Sequence, residues 1–214
     1  MISTRDLSRL PGPEALRRAM QSMAMLDAIL SPDWQGRYYS FNSQWSAGEQ
    51  MGSMRDGCGD DLHAHFGPAG CWIKGFAHEA LMSPFRETPP KVWPGVYDTV
   101  PAEFAGCLKQ AAFDIEAVTF CIWHRYGDTK WQVGTISYQN GSPDPDGSVA
   151  LLSRFDGLPA TYREWAEDYY ECDVDIEAVS SVFRHERLTS KLVRRLKSTA
   201  TLRDLTQDRR EIGY

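Results

Sequence analysis

The sequence predicts an α+β fold, with an N-terminal helix, a mostly antiparallel sheet of about five or six short strands, and a C-terminal run of short helices. Two observations predict it. Short segments that are rich in aromatic residues or alternate in polarity, as strands do, lie in the first two-thirds of the chain. Helical spacing dominates the last third, and this segregation favours α+β over repeated βαβ units. No linker-like stretch interrupts the chain, so we expect one domain over residues 1–214.

The N-terminal helix is predicted from its apolar spacing. Pro13 suits the first turn of a helix, where its missing N–H costs nothing. Apolar side chains then recur every three or four residues from Leu16 to Leu30, and Pro32 follows as a stop signal. This helix should present one apolar stripe to the core.

The strands are predicted from alternation and from turn residues between the segments. Leu62, Ala64 and Phe66 alternate with His63 and His65, as expected for a half-buried strand. The predicted strands span residues 37–41, 49–55, 61–66, 71–76, 118–126 and 131–138. Four prolines make residues 83–95 a loop, and Pro101 begins a short predicted helix over residues 100–112.

Helix starts in the C-terminal third are predicted from capping residues. After a helix over residues 148–155, Thr161 and Glu164 have the spacing of a capping box. Asp175 is expected to cap a helix over 176–185 and Thr189 one over 191–197, while Thr201 should cap the last helix.

Cysteine usage and the N-terminus predict a cytoplasmic protein. The chain has five cysteines and no C-x-x-C pair, whereas disulfide frameworks of secreted proteins usually show even, closely spaced sets. The first ten residues are mixed polar and charged, without the apolar core of a signal peptide. The longest apolar runs are too short to span a bilayer, so no membrane association is expected.

Charge is unevenly distributed along the chain. Residues 184–214 hold nine Lys/Arg and four Asp/Glu, a net charge of +5, and the remaining 183 residues hold 14 basic and 25 acidic groups, a net charge of −11. An acidic body disfavours nucleic acid as the main partner. It suits a basic protein, or the chain's own basic tail.

A catalytic site is the first functional alternative, although the standard motifs are absent. Gly70 and Gly75 have the glycine spacing of a phosphate-binding loop, but Phe76 replaces the lysine that such a loop needs. Imidazole beside carboxylate is what general acid–base chemistry requires. The candidates are Asp60, His63, His65, His78 and Glu79. The alternative, which the turn-like context of Asp60 favours, is a structural role.

Cys58, His63, His65 and Cys71 are the candidate ligands for a metal site. Thiolate and imidazole ligands suit zinc, but this spacing is not that of a known zinc module. Surface histidines beside unrelated thiols are the simpler interpretation. The sequence therefore predicts no metal and no cofactor.

An acidic segment is the most conspicuous feature of the C-terminal third. Seven acids lie between Glu164 and Glu177 with no basic residue among them. Glu164, Glu167, Asp168 and Glu171 are predicted to share a helix face. Such a face is usually only solvated, but it could also pair with the basic tail or steer a basic partner. Together with Trp45 and Trp93 as aromatic anchors, these four acids are the candidate binding residues.

The chain resembles a family of uncharacterised bacterial proteins over nearly its full length. The residues that carry the resemblance are Tyr39-Ser40-Phe41-Asn42, Ser53-Met54-Arg55, Lys74-Gly75-Phe76, His78-Glu79 and Trp93-Pro94-Gly95. This resemblance implies no particular activity. In size, charge and fold class the chain is also similar to the immunity-type proteins of bacterial toxin systems.

These observations predict a non-enzymatic protein-binding module, in its specific form an immunity-like protein that neutralises a basic toxin. The first alternative is an enzyme, either a hydrolase or a nucleotide-processing protein, with a His/carboxylate site on the first sheet. The second is a regulatory module that binds a small ligand between sheet and helices.

Overall fold

The centre of the molecule is one six-stranded antiparallel sheet, in a computed structural model that describes all residues from 1 to 214. Each strand pairs with the next in sequence, so the order is β1-β2-β3-β4-β5-β6. This confirms the predicted α+β class. The strands are β1 (Tyr39–Ser46), β2 (Glu49–Arg55), β3 (Asp61–Gly67), β4 (Gly70–Phe76), β5 (Phe120–Arg125) and β6 (Gln132–Val133).

Six α-helices cover one face of this sheet and enclose the main core. The longest, α1, packs against β1, β2 and three of the C-terminal helices, because its apolar stripe from Leu16 to Leu30 is buried. No helix combines the length and apolar character that crossing a bilayer requires. The helices are α1 (Pro13–Leu30), α2 (Ser148–Leu152), α3 (Pro159–Tyr169), α4 (Ile176–Phe183), α5 (Ser190–Leu196) and α6 (Thr206–Ile212).

The opposite face is covered by residues 92–118, which we call the covering layer. Side chains alternate between the faces of a strand, so Ile73 enters the main core while Trp72 enters a second, smaller core beneath this layer. Every residue of β4 is buried, since both of its faces are covered. The smaller core also contains Phe104 and Phe113 of the covering layer.

The predicted helix over residues 100–112 is wrong. The structure has three single-turn 3₁₀ helices there, Ala102–Phe104, Cys107–Lys109 and Ala111–Phe113. Gly106 lies between the first two and weakens a continuous α-helix. Asp114 then adopts a left-handed conformation (φ 41°), which ends the run.

Two strand predictions differ from the structure in extent. The first strand begins at Tyr39 rather than Arg37 and continues to Ser46. The last strand pairs only over Gln132–Val133 instead of residues 131–138. A Cβ on Gly134 would lie 2.0 Å from the Gly95 carbonyl oxygen, so backbone of the covering layer takes the space beside this strand and pairing stops.

Capping predictions succeeded for two helices and failed for two. Asp175 accepts the N–H groups of Glu177 and Ala178 at the start of α4, and Thr189 accepts that of Leu192 at the start of α5. These two confirm the prediction. The Thr161 hydroxyl instead donates to Asp156, because α3 already begins at Pro159. Thr201 bonds to Asp204, ahead of the last helix, which begins at Thr206.

The basic C-terminal segment packs on the acidic body. The Ser43 hydroxyl on β1 donates to the Glu211 carbonyl of α6 at 2.8 Å, and Arg37 pairs with Asp208. Arg195 binds Asp175 at 2.7 Å. Helix α6 therefore packs against β1, which is an edge strand of the sheet.

A buried carboxylate joins three elements of the main core. Asp27 of α1 accepts the backbone N–H groups of Tyr38 and Tyr39 at 3.0 and 2.8 Å, and the Tyr162 hydroxyl of α3 at 2.6 Å. Complete burial raises the pKa of Asp27 to about 6, although these hydrogen bonds oppose the shift. Helix α1, β1 and α3 are thus linked through one titratable group.

Candidate functional site

The predicted catalytic residues lie in two separate places. Asp60 and His78 meet at one end of the sheet, where the loop before β3 approaches the end of β4. His63 and His65 lie on β3, on the face beneath the covering layer. The structure therefore does not bring the five candidates into one site.

Asp60 and His78 form an oriented pair at the surface. Asp56 accepts the N–H groups of Cys58, Gly59 and Asp60, which folds this loop tightly. Asp60 Oδ1 then lies 2.8 Å from His78 Nδ1 and also accepts the His78 backbone N–H. The hydrogen bond to Asp60 raises the pKa of His78.

This pair has the hydrogen bonding of a general base, but it lies outside the three surface cavities of about 810, 580 and 360 Å³. Glu79 is the third predicted member, and its carboxylate lies 3.8 Å from His78 Nε2. None of these cavities is lined by Asp60, His78 or Glu79. The exposed pair is better suited to fixing the loop than to chemistry.

A second group of ionisable side chains lies under the covering layer, and we call it the covered polar cluster. It consists of Glu49, Asp61, His63, His65 and Lys74. Asp61 Oδ1 lies 3.0 Å from Lys74 Nζ and 3.4 Å from His63 Nδ1, and His65 Nε2 lies 3.5 Å from Glu49. Burial alone would raise the pKa of Asp61, but His63 and the Lys74 ammonium outweigh it and hold that pKa below its ordinary value.

The proposed metal ligands do not converge. Cys58 is in the exposed loop before β3, Cys71 enters the main core, and His63 and His65 lie on the opposite face of the sheet. No group of three metal-binding side chains is assembled anywhere in the chain. Burial also raises the pKa of the Cys71 thiol well above its ordinary value, which disfavours the thiolate that a metal needs.

The four acidic candidates on and after α3 have different surroundings. Glu167 accepts hydrogen bonds from Arg163 and from the Val174 N–H, so it holds the helix end in place. Glu164, Asp168 and Glu171 are exposed and form no salt bridge. Glu171 follows the helix, which ends at Tyr169, in a left-handed conformation (φ 50°). Three of the four carboxylates are therefore free to meet a partner.

The predicted aromatic anchors lie on the other side of the sheet from these acids. Trp45 stacks near Phe113 of the covering layer, with ring centroids 6.2 Å apart. Trp93 packs against the smaller core and donates its indole N–H to the Ser137 carbonyl. Neither can share one interface with Glu164 or Asp168.

A different set of side chains, three of them aromatic, lies around Tyr38, next to the start of β1, and we call it the aromatic face. It consists of Trp34, Arg55, Trp165 and Tyr169. Asp33 caps a single 3₁₀ turn after α1, which presents Trp34 with 55% of its surface exposed. Arg55 fixes this ring from β2: its guanidinium lies 3.6 Å from the ring centroid and donates to the Trp34 carbonyl at 2.7 Å.

Helix α3 supplies the second half of the aromatic face. Trp165 and Tyr169 are four residues apart and therefore stack on the same side of the helix, with centroids 5.0 Å apart. Tyr169 is 39% exposed and meets the Tyr38 ring next to β1 at 5.4 Å. Glu164 and Asp168 each precede one of these rings by one residue, so the two carboxylates lie about 100° around α3 from the rings, on the adjacent side of the helix.

Sequence reasoning missed the aromatic face, although it found the neighbouring acids. Trp34 comes directly after α1, in a segment that reads only as a helix stop, and its partner Arg55 lies on β2. A tryptophan within the Pro32–Gly36 turn was the one available signal, because a ring in a turn has little core to enter.

Comparison with protein-family models, with curated proteins and with solved structures gave no match to this chain. The resemblance to uncharacterised bacterial proteins and to immunity-type proteins therefore stays a prediction.

Proposed function

We propose that this protein is a non-enzymatic binding module that engages a basic protein through the aromatic face and the free carboxylates beside it. The observation that carries the proposal is Trp34, a more than half-exposed indole that Arg55 holds in a fixed orientation. Ordered Trp, Tyr and Arg side chains are the residue types that dominate binding energy at protein interfaces. Fixing them before binding also reduces the entropy lost on association.

The unpaired carboxylates on and after α3 favour a partner with a basic surface. Glu164, Asp168 and Glu171 carry no internal ion pair, and they border the rings on α3. Carboxylates at the rim of an interface attract a cationic surface during diffusion and raise the association rate. A bacterial toxin with a basic surface fits this description, and in that case the protein acts as its immunity-like inhibitor.

The proposal is tested by capture from a lysate of cells that produce the protein, with a double variant of the face. W34A/Y169A removes both exposed rings. F85A/Y126A is the matched control, because Phe85 and Tyr126 are 56% and 63% exposed and lie outside the aromatic face. We expect wild type and the control to retain one stoichiometric basic protein that W34A/Y169A loses.

Retention of the same protein by W34A/Y169A would contradict the aromatic face as the binding site. Loss of the protein from both double variants would contradict the aromatic face as the specific site, and capture of an acidic protein would contradict the charge argument. A stable complex should also bury more than about 1,000 Å² in total, which footprinting of the captured complex can check.

The enzymatic alternative receives less support. Its candidate residues are divided between an exposed pair and a covered cluster. The buried thiols do not supply a nucleophile either, because burial raises the pKa of Cys107 to about 12 and that of Cys121 well above its ordinary value.

A further inference from the structure

A surface cavity of about 580 Å³ lies between residues 4–12 and the hairpin that β5 and β6 form. Its volume is within the range of small-molecule sites, roughly 300–1,000 Å³. Two hydrogen bonds fix the N-terminal wall. The Trp131 indole N–H donates to the Pro11 carbonyl at 2.9 Å, and the buried Thr4 hydroxyl donates to Asp146. The two walls of the cavity are therefore held together by contacts between distant parts of the chain.

Two cations without an anionic partner line this cavity. Arg5 and Lys130 form no salt bridge, and the Lys130 ammonium makes no hydrogen bond within the chain. Asp6 also lines the cavity, but its carboxylate accepts the Ser8 N–H at 3.0 Å, and hydrogen bonds from Ser8 lower the pKa of Asp6. Two cations and one carboxylate give the lining a net charge of +1, counted with His124 neutral.

The guanidinium of Arg5 is oriented in a way that suits a carboxylate. Its Nη1 donates to the Pro143 carbonyl at 3.0 Å, and its central carbon lies 4.7 Å from the centroid of the Tyr138 ring. The Nε and Nη2 N–H groups have no partner within the chain. That edge of a guanidinium can bind a carboxylate through two parallel hydrogen bonds. Because Arg5 is already held by Pro143 and Tyr138, it loses less freedom on binding than a mobile side chain would.

The rest of the cavity wall is largely apolar. Leu7 and Leu10 contribute from the N-terminal segment, and Val133 contributes from β6. The Trp131 ring also lines the cavity, and His124 stands edge-on to it with ring centroids 5.4 Å apart. Nδ1 of His124 donates to a backbone carbonyl at 2.9 Å, which holds the imidazole in place. A ligand body against this wall would remove apolar surface from water, which favours binding.

We propose that this cavity binds a small aromatic carboxylate. The carboxylate pairs with Arg5 and Lys130, and the aromatic ring lies against the apolar wall. The net charge of +1 matches a monoanion, whereas a dianion such as a phosphate monoester would leave negative charge unmatched. The cavity shares no residue with the aromatic face, so this inference does not depend on the proposed partner.

Benzoate is the probe, because it combines one carboxylate with one aromatic ring. For so small a ligand we expect a dissociation constant of about 1 mM. Binding should shift the Trp131 indole N–H signal in NMR, since this ring lines the cavity. Benzamide has the same shape without the charge, and acetate has the charge without the ring. Each should bind at least about tenfold more weakly than benzoate.

Three variants test the role of the two cations. Arg5→Gln should weaken benzoate binding at least about tenfold, because the paired donors are lost. Arg9→Gln is the matched control: it removes the same charge from an exposed residue of the same segment that does not line the cavity. The control should change the dissociation constant by less than about twofold at physiological salt. Lys130→Gln should also weaken binding, and it leaves the contacts of Arg5 intact if Arg5→Gln disturbs the N-terminal segment.

Four results would overturn the proposal. Benzamide binding as tightly as benzoate would show that the carboxylate is not recognised. Acetate binding as tightly as benzoate would indicate an adventitious ion only. Equal weakening of benzoate binding by Arg9→Gln and by Arg5→Gln would indicate general charge attraction. The fourth is an unchanged Trp131 signal in the wild-type protein at about 10 mM benzoate, ten times the expected dissociation constant.

Discussion

At the scale of single residues, Asp27 shows how one buried carboxylate makes stability depend on pH. Its pKa is about 6 in the folded protein against 3.8 ordinarily, so between these values the folded state holds a proton that the unfolded state has released. Stability from this group is therefore present at low pH and is lost as pH rises through about 6. At 1.36 kcal/mol per pKa unit the loss amounts to about 3 kcal/mol.

We expect Asp27→Asn to remove this dependence. The amide oxygen can still accept the N–H groups of Tyr38 and Tyr39, and the amide nitrogen can donate to the Tyr162 oxygen. Urea unfolding from pH 4 to pH 7 should show the wild type losing stability relative to this variant as pH rises. A constant difference between the two proteins across that range would contradict the buried, ionisable role of Asp27.

Single residues were also where sequence reasoning was least complete. It grouped Asp60 and His78 with His63, His65 and Glu79 as one catalytic site, and the structure places Asp60 and His78 2.8 Å apart but His63 and His65 elsewhere. It could not find Asp27, because that carboxylate lies on the apolar stripe of α1 and its partners come from β1 and α3. Polar groups inside a core are satisfied by distant segments, and no local pattern reveals those partners.

At the scale of elements, the start of α4 allows a test of how much one capping carboxylate contributes to stability. Asp175 caps the helix and also binds Arg195 of α5, so it fixes two helices at once. Asp175→Ala should destabilise the fold by about 1 kcal/mol from the cap, with a few tenths more from the exposed ion pair. Asp175→Asn keeps the cap and should cost clearly less.

Thr189→Ala serves as the control for that comparison, because Thr189 caps α5 without an ion pair. The Thr189→Ala variant should have a free energy of unfolding about 1 kcal/mol lower than that of the wild type. All three variants can be compared by urea unfolding at one pH. If Asp175→Asn destabilised the protein as much as Asp175→Ala, the backbone cap would not be the main contribution of Asp175.

Elements were predictable where local signals determine them. The apolar stripe of α1, the alternation of β3 and the caps at Asp175 and Thr189 all depend on neighbouring residues, and each was confirmed. The covering layer was not predictable from local signals. Its three short turns are stabilised by burial of Phe104 and Phe113 against Trp72, which is distant in sequence. The early end of β6 likewise follows from the approach of Gly95, a residue distant in sequence.

At the scale of the whole molecule, the sheet separates two surfaces with different character. The helical side combines exposed rings, a fixed arginine and free carboxylates. The covering layer hides ionisable groups behind Phe113. The acidic body was visible in the sequence, whereas the pairing of Trp34 with Arg55 and the contact of the α3 rings with Tyr38 required the fold.

The most direct test of the proposed function is the association rate constant between this protein and its captured basic partner. The test variant replaces three acidic residues, Glu164, Asp168 and Glu171, with Lys. The control carries the same change at Asp98, Glu103 and Glu116, three exposed carboxylates of the covering layer. Both variants have the same net charge, so only the position of the reversal differs.

We expect the first variant to associate at least about tenfold more slowly than wild type at low salt, and the difference to shrink as salt screens the charges. The control should keep most of the wild-type rate. Equal slowing in both variants, or no slowing in the first, would contradict a basic partner that docks on the aromatic face.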